Sequence, residues 1–359
     1  MKYSLCHDFL NSKKIIYPLA KYASSYLAGE RAFAPWSVEI HPTAKCNHRC
    51  IHCSYKERNE SRVEMPHEVF DQLVASMIEM HVHGVYFSGG GEPCAYPGLA
   101  GAVKKLHENG VEVALVSNGT LFEQMGMMDV ADHLNYIALS VPSCTPAMFE
   151  KITGRPYLDR VLALPGKIKE RYGDRAPIVG SRVVVTNLIA KEVPSILETL
   201  KTKAFDYVIF KVVRDYEDRG LGLSDDMVAE LKEEIRKIGG GTGQIDHDFT
   251  NVDTIFNYRK PYDPSGDCVV NAMGLLAAVS PEGDVYPNIC EIGHEAFCIG
   301  NVKEQPFEAL WNGPRHEEVK WTSNAQWASG ACKNCRAISY NVRMNAFFDG
   351  LPREEDPFI

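Results

Sequence analysis

The run Cys46-Asn47-His48-Arg49-Cys50-Ile51-His52-Cys53 places three thiols within eight residues, spaced C-x3-C-x2-C. Thiolates this close repel one another unless a metal neutralises them, so the run reads as a metal site. Three cysteines can hold three irons of a [4Fe–4S] cube and leave the fourth iron open to a ligand from outside the chain. A structural site would normally be closed by a fourth protein ligand. The competing reading is a zinc held by three cysteines and one histidine, because His48 and His52 lie inside the motif.

Further along, the apolar run Val85-Tyr86-Phe87 ends in Ser88-Gly89-Gly90-Gly91-Glu92-Pro93. Successive glycines at a strand's C-terminal end let backbone approach a ligand closely. Alone the loop could be a turn; with the cysteine triad it completes a pattern. The two motifs together resemble the radical S-adenosylmethionine (SAM) superfamily, whose signature is C-x3-C-x-Φ-C with Φ usually aromatic, followed by a GGE-type motif. His52 fills the Φ position, and the resemblance runs over residues 36–215.

A second cysteine set follows residue 260: Cys268, Cys290, Cys298, Cys332 and Cys335, the last two as C-x2-C. Leu275–Ser280 and Asp284–Tyr286 read as a hairpin around Pro281-Glu282-Gly283. With Gly300-Asn301-Val302 and Leu310-Trp311, this segment resembles the SPASM/twitch auxiliary-cluster domains. No cysteine follows Cys335, so the likeness is to the shorter twitch type with a single auxiliary iron–sulfur cluster, expected as [4Fe–4S]. It departs from the family at Asn288, where a cysteine usually follows Tyr-Pro. The expected ligands are Cys268, Cys290, Cys332 and Cys335, with Cys298 as the substitute for Cys290; a structural zinc is the alternative, since four cysteines also suit that ion.

The resemblance implies that the open iron binds the methionine end of SAM, and that reductive cleavage yields a 5′-deoxyadenosyl radical that takes a hydrogen atom from the substrate. It implies cluster ligation by Cys46, Cys50 and Cys53. It assigns the methionine amino group to Gly90, Gly91 and Glu92, the adenine to His52, and ribose or methionine contacts to Ser117, Asn118 and Ser140. Arg182 could pair with the SAM carboxylate through two hydrogen bonds, or form only a surface salt bridge. Cys144, after the fourth strand, could donate a hydrogen atom to a substrate radical, although a buried cysteine is commonly a small hydrophobe, as Cys94 also could be. Lys211 and Arg214-Asp215-Tyr216-Glu217 are candidate substrate-facing groups. The expected electron donor is a flavodoxin or ferredoxin-type protein.

The elements that must position these residues follow from alternation. Trp36–His41, Val85–Ser88, Val113–Val116, Tyr136–Val141, Arg182–Val185 and Tyr207–Phe210 read as strands; Glu68–Met80 and Gly98–Glu108 read as helices. Alternating strands and helices build a parallel sheet with helices outside. Six such units predict an α/β fold with a partial (β/α)6 barrel, its chemistry at the strand C-termini, plus a small C-terminal α+β twitch/SPASM-like domain. The expected division is a helical lead-in over 1–35, with Leu19, Tyr22, Tyr26 and Leu27 near helical spacing, a barrel over 36–238, a linker over 239–260 and the auxiliary domain over 261–359. Gly239-Gly240-Gly241-Thr242-Gly243 lacks the Gly-Lys-Ser/Thr ending of a phosphate loop and reads as a linker.

Composition bounds the partners. The 359 residues suffice for a large core plus a smaller domain, and a net charge of −9 argues against a nucleic-acid surface. No apolar run reaches a membrane span of roughly 18–20 residues, and Pro18 interrupts the N-terminal apolar stretch before any signal-peptide pattern. Eleven cysteines with no export signal point to the reducing cytoplasm. The expected activity is dehydrogenase-like: oxidation, epimerisation or rearrangement of a small polar metabolite such as a sugar, aminocyclitol or nucleoside. The alternatives are a peptide or protein maturase and a non-catalytic zinc-binding scaffold.

Overall fold

A computed structural model describes residues 34–213, 218–239, 264–332, 335 and 337–349. The N-terminal lead-in to residue 33, Arg214–Glu217 and the glycine run from residue 240 onward lie outside these residues.

The barrel half alternates as expected. Its strands are β1 (Ser37–Ile40), β2 (Gly84–Phe87), β3 (Glu112–Ser117), β4 (Tyr136–Ser140), β5 (Ile178–Val185) and β6 (Tyr207–Val212). Its helices are α1 (Lys56–Glu60), α2 (His67–Glu79), α3 (Leu99–Glu108), α4 (Pro146–Thr153), α5 (Leu158–Tyr172), α6 (Val193–Lys201) and α7 (Asp225–Gly239). The C-terminal half adds α8 (Val269–Ala272), β7 (Leu276–Val279), β8 (Asp284–Tyr286), β9 (Gly300–Asn301), α9 (Phe307–Trp311), α10 (Pro314–Ala328) and α11 (Ile338–Asp349).

The strands form one sheet in the order β6-β5-β4-β3-β2-β1-β7-β8-β9. The pairings from β6 to β1 are all parallel, β7 pairs parallel to β1 on its free edge, and β8 and β9 follow antiparallel. The hairpin is therefore continuous with the sheet that carries the cysteine loop, with Glu39 opposite both Tyr86 and Ala278.

Period-two alternation sorts each strand into two faces. Val38, Ile40, Val85, Phe87, Val113, Leu115, Ile137, Leu139, Val179, Val183, Val208 and Phe210 belong to the core packed with the helices. The opposite face, inside the curl, carries small and polar residues: Glu39, Tyr86, Ala114, Ala138, Ser140, Gly180, Arg182 and Lys211. Helix α2 shows the same logic, burying Phe70, Leu73, Val74 and Met77 at helical spacing. Helix α5 carries Pro165 in its interior, on its buried face with Leu162, Leu164 and Ile168. Among the described residues, no helix is long and apolar enough to cross a membrane.

Candidate functional site

The cysteine loop follows β1 and is pinned on three sides. The glycine loop lies directly on it: Gly91 N–H donates to Thr43 O at 3.0 Å, and Glu92 N–H to Lys45 O at 2.8 Å. A Cβ on Gly91 would fall 2.3 Å from Lys45 O, so only glycine permits this approach. The C-terminal carbonyls of α4 face the second side, where Arg49 N–H and Ile51 N–H donate to Thr153 O and Ile152 O. Two guanidinium groups hold the third: Arg155 Nε donates to Asn47 O at 2.8 Å, and Arg219 Nη1 to Cys53 O at 2.8 Å.

Glu92 anchors the glycine loop to the end of β3. It is 2% exposed. Its Oε1 accepts from Ser117 Oγ at 2.6 Å and Cys94 N–H at 3.0 Å, and its Oε2 from Asn118 N–H at 2.7 Å. Burial raises its pKa, and these donors oppose the rise by stabilising the carboxylate. The Glu92 carboxylate and the Ser117 hydroxyl are thus engaged inside the protein. Asn118 extends the clamp: its Nδ2 donates to Asn47 Oδ1 at 2.8 Å, and its Oδ1 accepts from Thr120 Oγ1 at 2.6 Å. Asn47 Nδ2 closes the ring on Thr120 Oγ1 at 2.7 Å.

The three thiols share one electrostatic environment. Burial pushes the Cys46 thiol up to about 12, with the charges of Glu92 and Cys53 adding to the rise. Cys50 is raised first by burial and then by Cys53 and Cys46. Hydrogen bonds work the other way: His48 N–H donates to Cys46 Sγ at 3.4 Å, Asn118 also hydrogen-bonds Cys46, and Asn59 Nδ2 donates to Cys53 Sγ at 3.8 Å. Donors aimed at sulfur stabilise a thiolate, and an ionised triad would need positive charge at its centre. No disulfide joins the described cysteines.

The two histidines differ. His48 packs its ring 6.2 Å from both Phe149 and Tyr157, and burial beside Arg155 lowers its pKa to about 4. His52 is lowered to about 4 by burial and then Arg219, and its Nδ1 is buried without a hydrogen-bond partner. A neutral imidazole with an unused nitrogen suits a heteroaromatic neighbour.

Inside the curl, Ser140 at the end of β4 stands opposite Arg182 on β5. Arg182 Nε is buried with no hydrogen-bond partner, and among the described residues no carboxylate pairs with this guanidinium. Tyr207 lays its ring over Gly180, where a Cβ would meet it at 2.0 Å. Lys211 lies on β6 opposite Val184. A polar group not singled out in the sequence lies under the cysteine loop: Glu39, 2% exposed, accepts from Tyr86 Oη and lies 2.9 Å from Nε2 of the buried His41. The alternation of Ser-Val-Glu-Ile-His was its only signal, placing Glu39 and His41 on the face away from Val38 and Ile40.

The remaining thiols lie elsewhere. Cys94 is fully buried beside Ser117 Oγ, at 3.5 Å. The Cys144 thiol faces the outer helix layer rather than the interior of the curl, 3.9 Å from Ile196 O of α6. Burial pushes it up to about 12, Glu192 adding to the effect. This contact with α6 fits a packing role for the thiol.

The second set converges. Cys268, Cys332 and Cys335 line one pocket together with Asn271, Asn288, Glu291 and Trp327. Cys335 is held well above the usual thiol range by its hydrogen bond with Cys290 and by burial, so Cys290 belongs to the same group. Asn341 Nδ2 donates to Cys268 Sγ at 3.3 Å and Ala337 N–H to Cys335 Sγ at 3.4 Å. Cys298 stands apart, its thiol donating to Gly300 O at 3.7 Å. Asn288, in the place of the expected cysteine, is buried and accepts from Cys290 N–H at 2.8 Å. Among the described residues, no three His, Cys, Asp or Glu side chains close on a point that would hold one metal ion. Both thiol sets, with their N–H donors, fit iron–sulfur clusters.

A family model described as the radical SAM superfamily matches residues 40–200, and one described as an iron–sulfur cluster-binding domain matches residues 268–336. The chain thus carries a radical SAM domain followed by an iron–sulfur cluster-binding domain. Its cofactors are accordingly SAM, a SAM-binding [4Fe–4S] cluster and an auxiliary iron–sulfur cluster. Among sequence relatives, the chain is 28% identical over 130 residues to a GTP 3′,8-cyclase of Peptoclostridium acidaminophilum, covering 35% of the chain and 40% of that protein. It is 25% identical over 175 residues to a tungsten-containing aldehyde ferredoxin oxidoreductase cofactor-modifying protein of Pyrococcus furiosus, covering 46% of the chain and 48% of that protein. The chain therefore spans less than half the length of these two curated relatives. Among solved structures, Streptococcus suis SuiB bound to S-adenosylmethionine superposes with a TM-score of 0.63 at 15% identity, over 85% of this chain and 73% of that one. The anSMEcpe structure with AdoMet and a peptide gives 0.59 at 17% identity, over 86% and 88%. At these identities the superpositions speak for the fold: an α/β radical SAM partial barrel followed by a SPASM-type domain.

Proposed function

We propose that the chain uses SAM as a radical source at the cluster held by Cys46, Cys50 and Cys53, and abstracts a hydrogen atom from a small polar metabolite. When bound, SAM and its cluster supply a 5′-deoxyadenosyl radical; the protein's part is to bind, orient and shield. Gly90 and Gly91 offer close backbone approach at the open side of the triad, while Glu92 braces that loop from within. His52 presents a neutral ring to the adenine and Ser140 stands at a strand end for ribose or methionine contacts, while Asn118, bound to Asn47 and Thr120, would contact the ligand only by exchanging one of those bonds. Arg182, buried at Nε without an acid partner, would accept the SAM carboxylate. Cys268, Cys290, Cys332 and Cys335 would hold the auxiliary cluster, which can take the electron left on a substrate radical and make the net reaction an oxidation.

The observation that carries this reading is the pairing of a three-thiol group with a four-thiol group along one continuous sheet. The small-metabolite choice draws on the sequence relatives, one named for a nucleotide and the other for cofactor modification. The setting proposed is the cytoplasm, with a flavodoxin or ferredoxin-type donor. Anaerobic incubation with reductant, SAM and deuterated candidates tests the reading. Deuterium in 5′-deoxyadenosine from a sugar, aminocyclitol or nucleoside supports it; transfer from a peptide alone replaces the substrate class. An iron-free protein containing zinc would remove the radical chemistry altogether.

A further inference from the structure

Asn59 lies on α1, six residues beyond Cys53. Its two side-chain atoms have separate surroundings. Nδ2 donates to Cys53 Sγ at 3.8 Å. Oδ1 is shut off from solvent and has no hydrogen-bond partner. A Cβ built on Gly90 would come 3.4 Å from that oxygen, with Pro281 Cγ next at 3.8 Å. Gly90 is also the one glycine of the loop with room: at Gly89 and Gly91 a Cβ would meet backbone at 2.6 Å and 2.3 Å. So a buried acceptor lies against the Gly90 backbone, and the same side chain touches a thiol of the triad.

A buried carbonyl oxygen with no donor is unfavourable unless something from outside supplies one. The side chain's own Nδ2 is taken up by sulfur, and a thiolate has no proton to give. A donor for Oδ1 would be an N–H or O–H group reaching it from the Gly90 side, near Cys53.

We infer that Asn59 Oδ1 is an acceptor for the amino group of the SAM methionine, while Nδ2 restrains the Cys53 sulfur. This rests on the proposed assignment of Cys46, Cys50 and Cys53 to the SAM-binding cluster. One amide thus ties the ligand's amine to a cluster ligand. An aspartate would keep the acceptor but set a negative charge against the thiolate.

The test uses anaerobically reconstituted full-length protein, measuring iron content, SAM dissociation constant and the electron paramagnetic resonance of the reduced cluster with and without SAM. In the wild type, SAM must change that spectrum; if the wild type holds no [4Fe–4S] cluster, the proposed function falls and this assignment falls with it. With the wild type as expected, Asn59→Leu raises the SAM dissociation constant tenfold or more, as for a lost hydrogen bond to a charged group, about 1.4 kcal/mol per factor of ten. Asn59→Asp keeps SAM affinity within about threefold while its cluster potential becomes more negative, because an N–H···S bond is lost and a charge is added. An analogue lacking the amino group binds wild type and Asn59→Leu equally. Wild-type SAM affinity in an iron-loaded Asn59→Leu chain overturns the inference, as does an equal loss in both variants. Failure of both variants to hold iron overturns it too, making Asn59 a folding residue.

Discussion

Gly90 and Gly91 are adjacent, yet the structure gives them different tasks, and alanine separates them. At Gly91 a new Cβ would lie 2.3 Å from Lys45 O and 2.7 Å from Thr43 O, both backbone atoms that cannot swing aside. Relief requires about an ångström of separation between the two loops. That movement breaks the bonds from Gly91 N–H to Thr43 O at 3.0 Å and from Glu92 N–H to Lys45 O at 2.8 Å. Two net hydrogen bonds at about 0.5–1.5 kcal/mol each and overpacking at about 1–3 kcal/mol give a loss of about 2–6 kcal/mol, out of a typical total of about 5–15 kcal/mol. Gly90→Ala meets only Asn59 Oδ1 at 3.4 Å and Pro281 Cγ at 3.8 Å, so the chain should fold and load iron. Its methyl group would lie beside Asn59 Oδ1, where the amino group of SAM is proposed to bind. The assay is a urea midpoint on the apo chain, iron and sulfide per chain after reconstitution, and SAM binding. Gly91→Ala should fail the first two, and Gly90→Ala only the third. A Gly91→Ala chain with the wild-type midpoint and full iron would refute the reasoning.

Three further outcomes are expected. Cys290→Ser should lower iron content by about one cluster's worth, whereas Cys298→Ser, whose thiol contacts Gly300 O, should leave it unchanged by iron analysis. Tyr86→Phe leaves the buried Glu39 carboxylate short of one donor and should cost about 1–3 kcal/mol in denaturant titration. His316, 1% exposed, has its pKa lowered to about 4 by burial, so its unfolded form takes up a proton first as pH falls below about 6.5. Stability is therefore full above that value and lost on acidification, by about 2 kcal/mol at pH 5 from this residue alone. His316→Phe should flatten the stability profile between pH 6.5 and 4, and an unchanged slope would count against the burial of a neutral ring.

The sequence made the strands legible wherever apolar residues alternate or run together, as at Val113–Val116 and Tyr136–Val141. It made the cysteine and glycine loops legible because their chemistry depends on spacing along the chain. Helices α4, α5, α6 and α10 were not drawn from it. Proline opens three of them, and Pro165 sits within α5, where buried packing outweighs the backbone penalty. The pairing of β7 with β1 had no local signal, since it joins residues more than 200 positions apart. Arg219, holding the carbonyl of Cys53, and Thr120, closing the ring with Asn47, were hidden for the same reason. Spacing favoured Cys290, with Cys298 as its substitute; in the structure, Asn288 caps Cys290 N–H and Cys290 lies against Cys335, while Cys298 contacts Gly300 O.

An open six-stranded barrel would leave β1 as a bare margin, with a row of backbone donors and acceptors ready to recruit another chain. Here β7 occupies that margin, and the sheet on that side tapers to the two residues of β9. The cluster-bearing appendage is therefore also a seal. Cutting the chain after residue 263 would not release a smaller working barrel, but one with a sticky flank beside its most oxygen-sensitive loop.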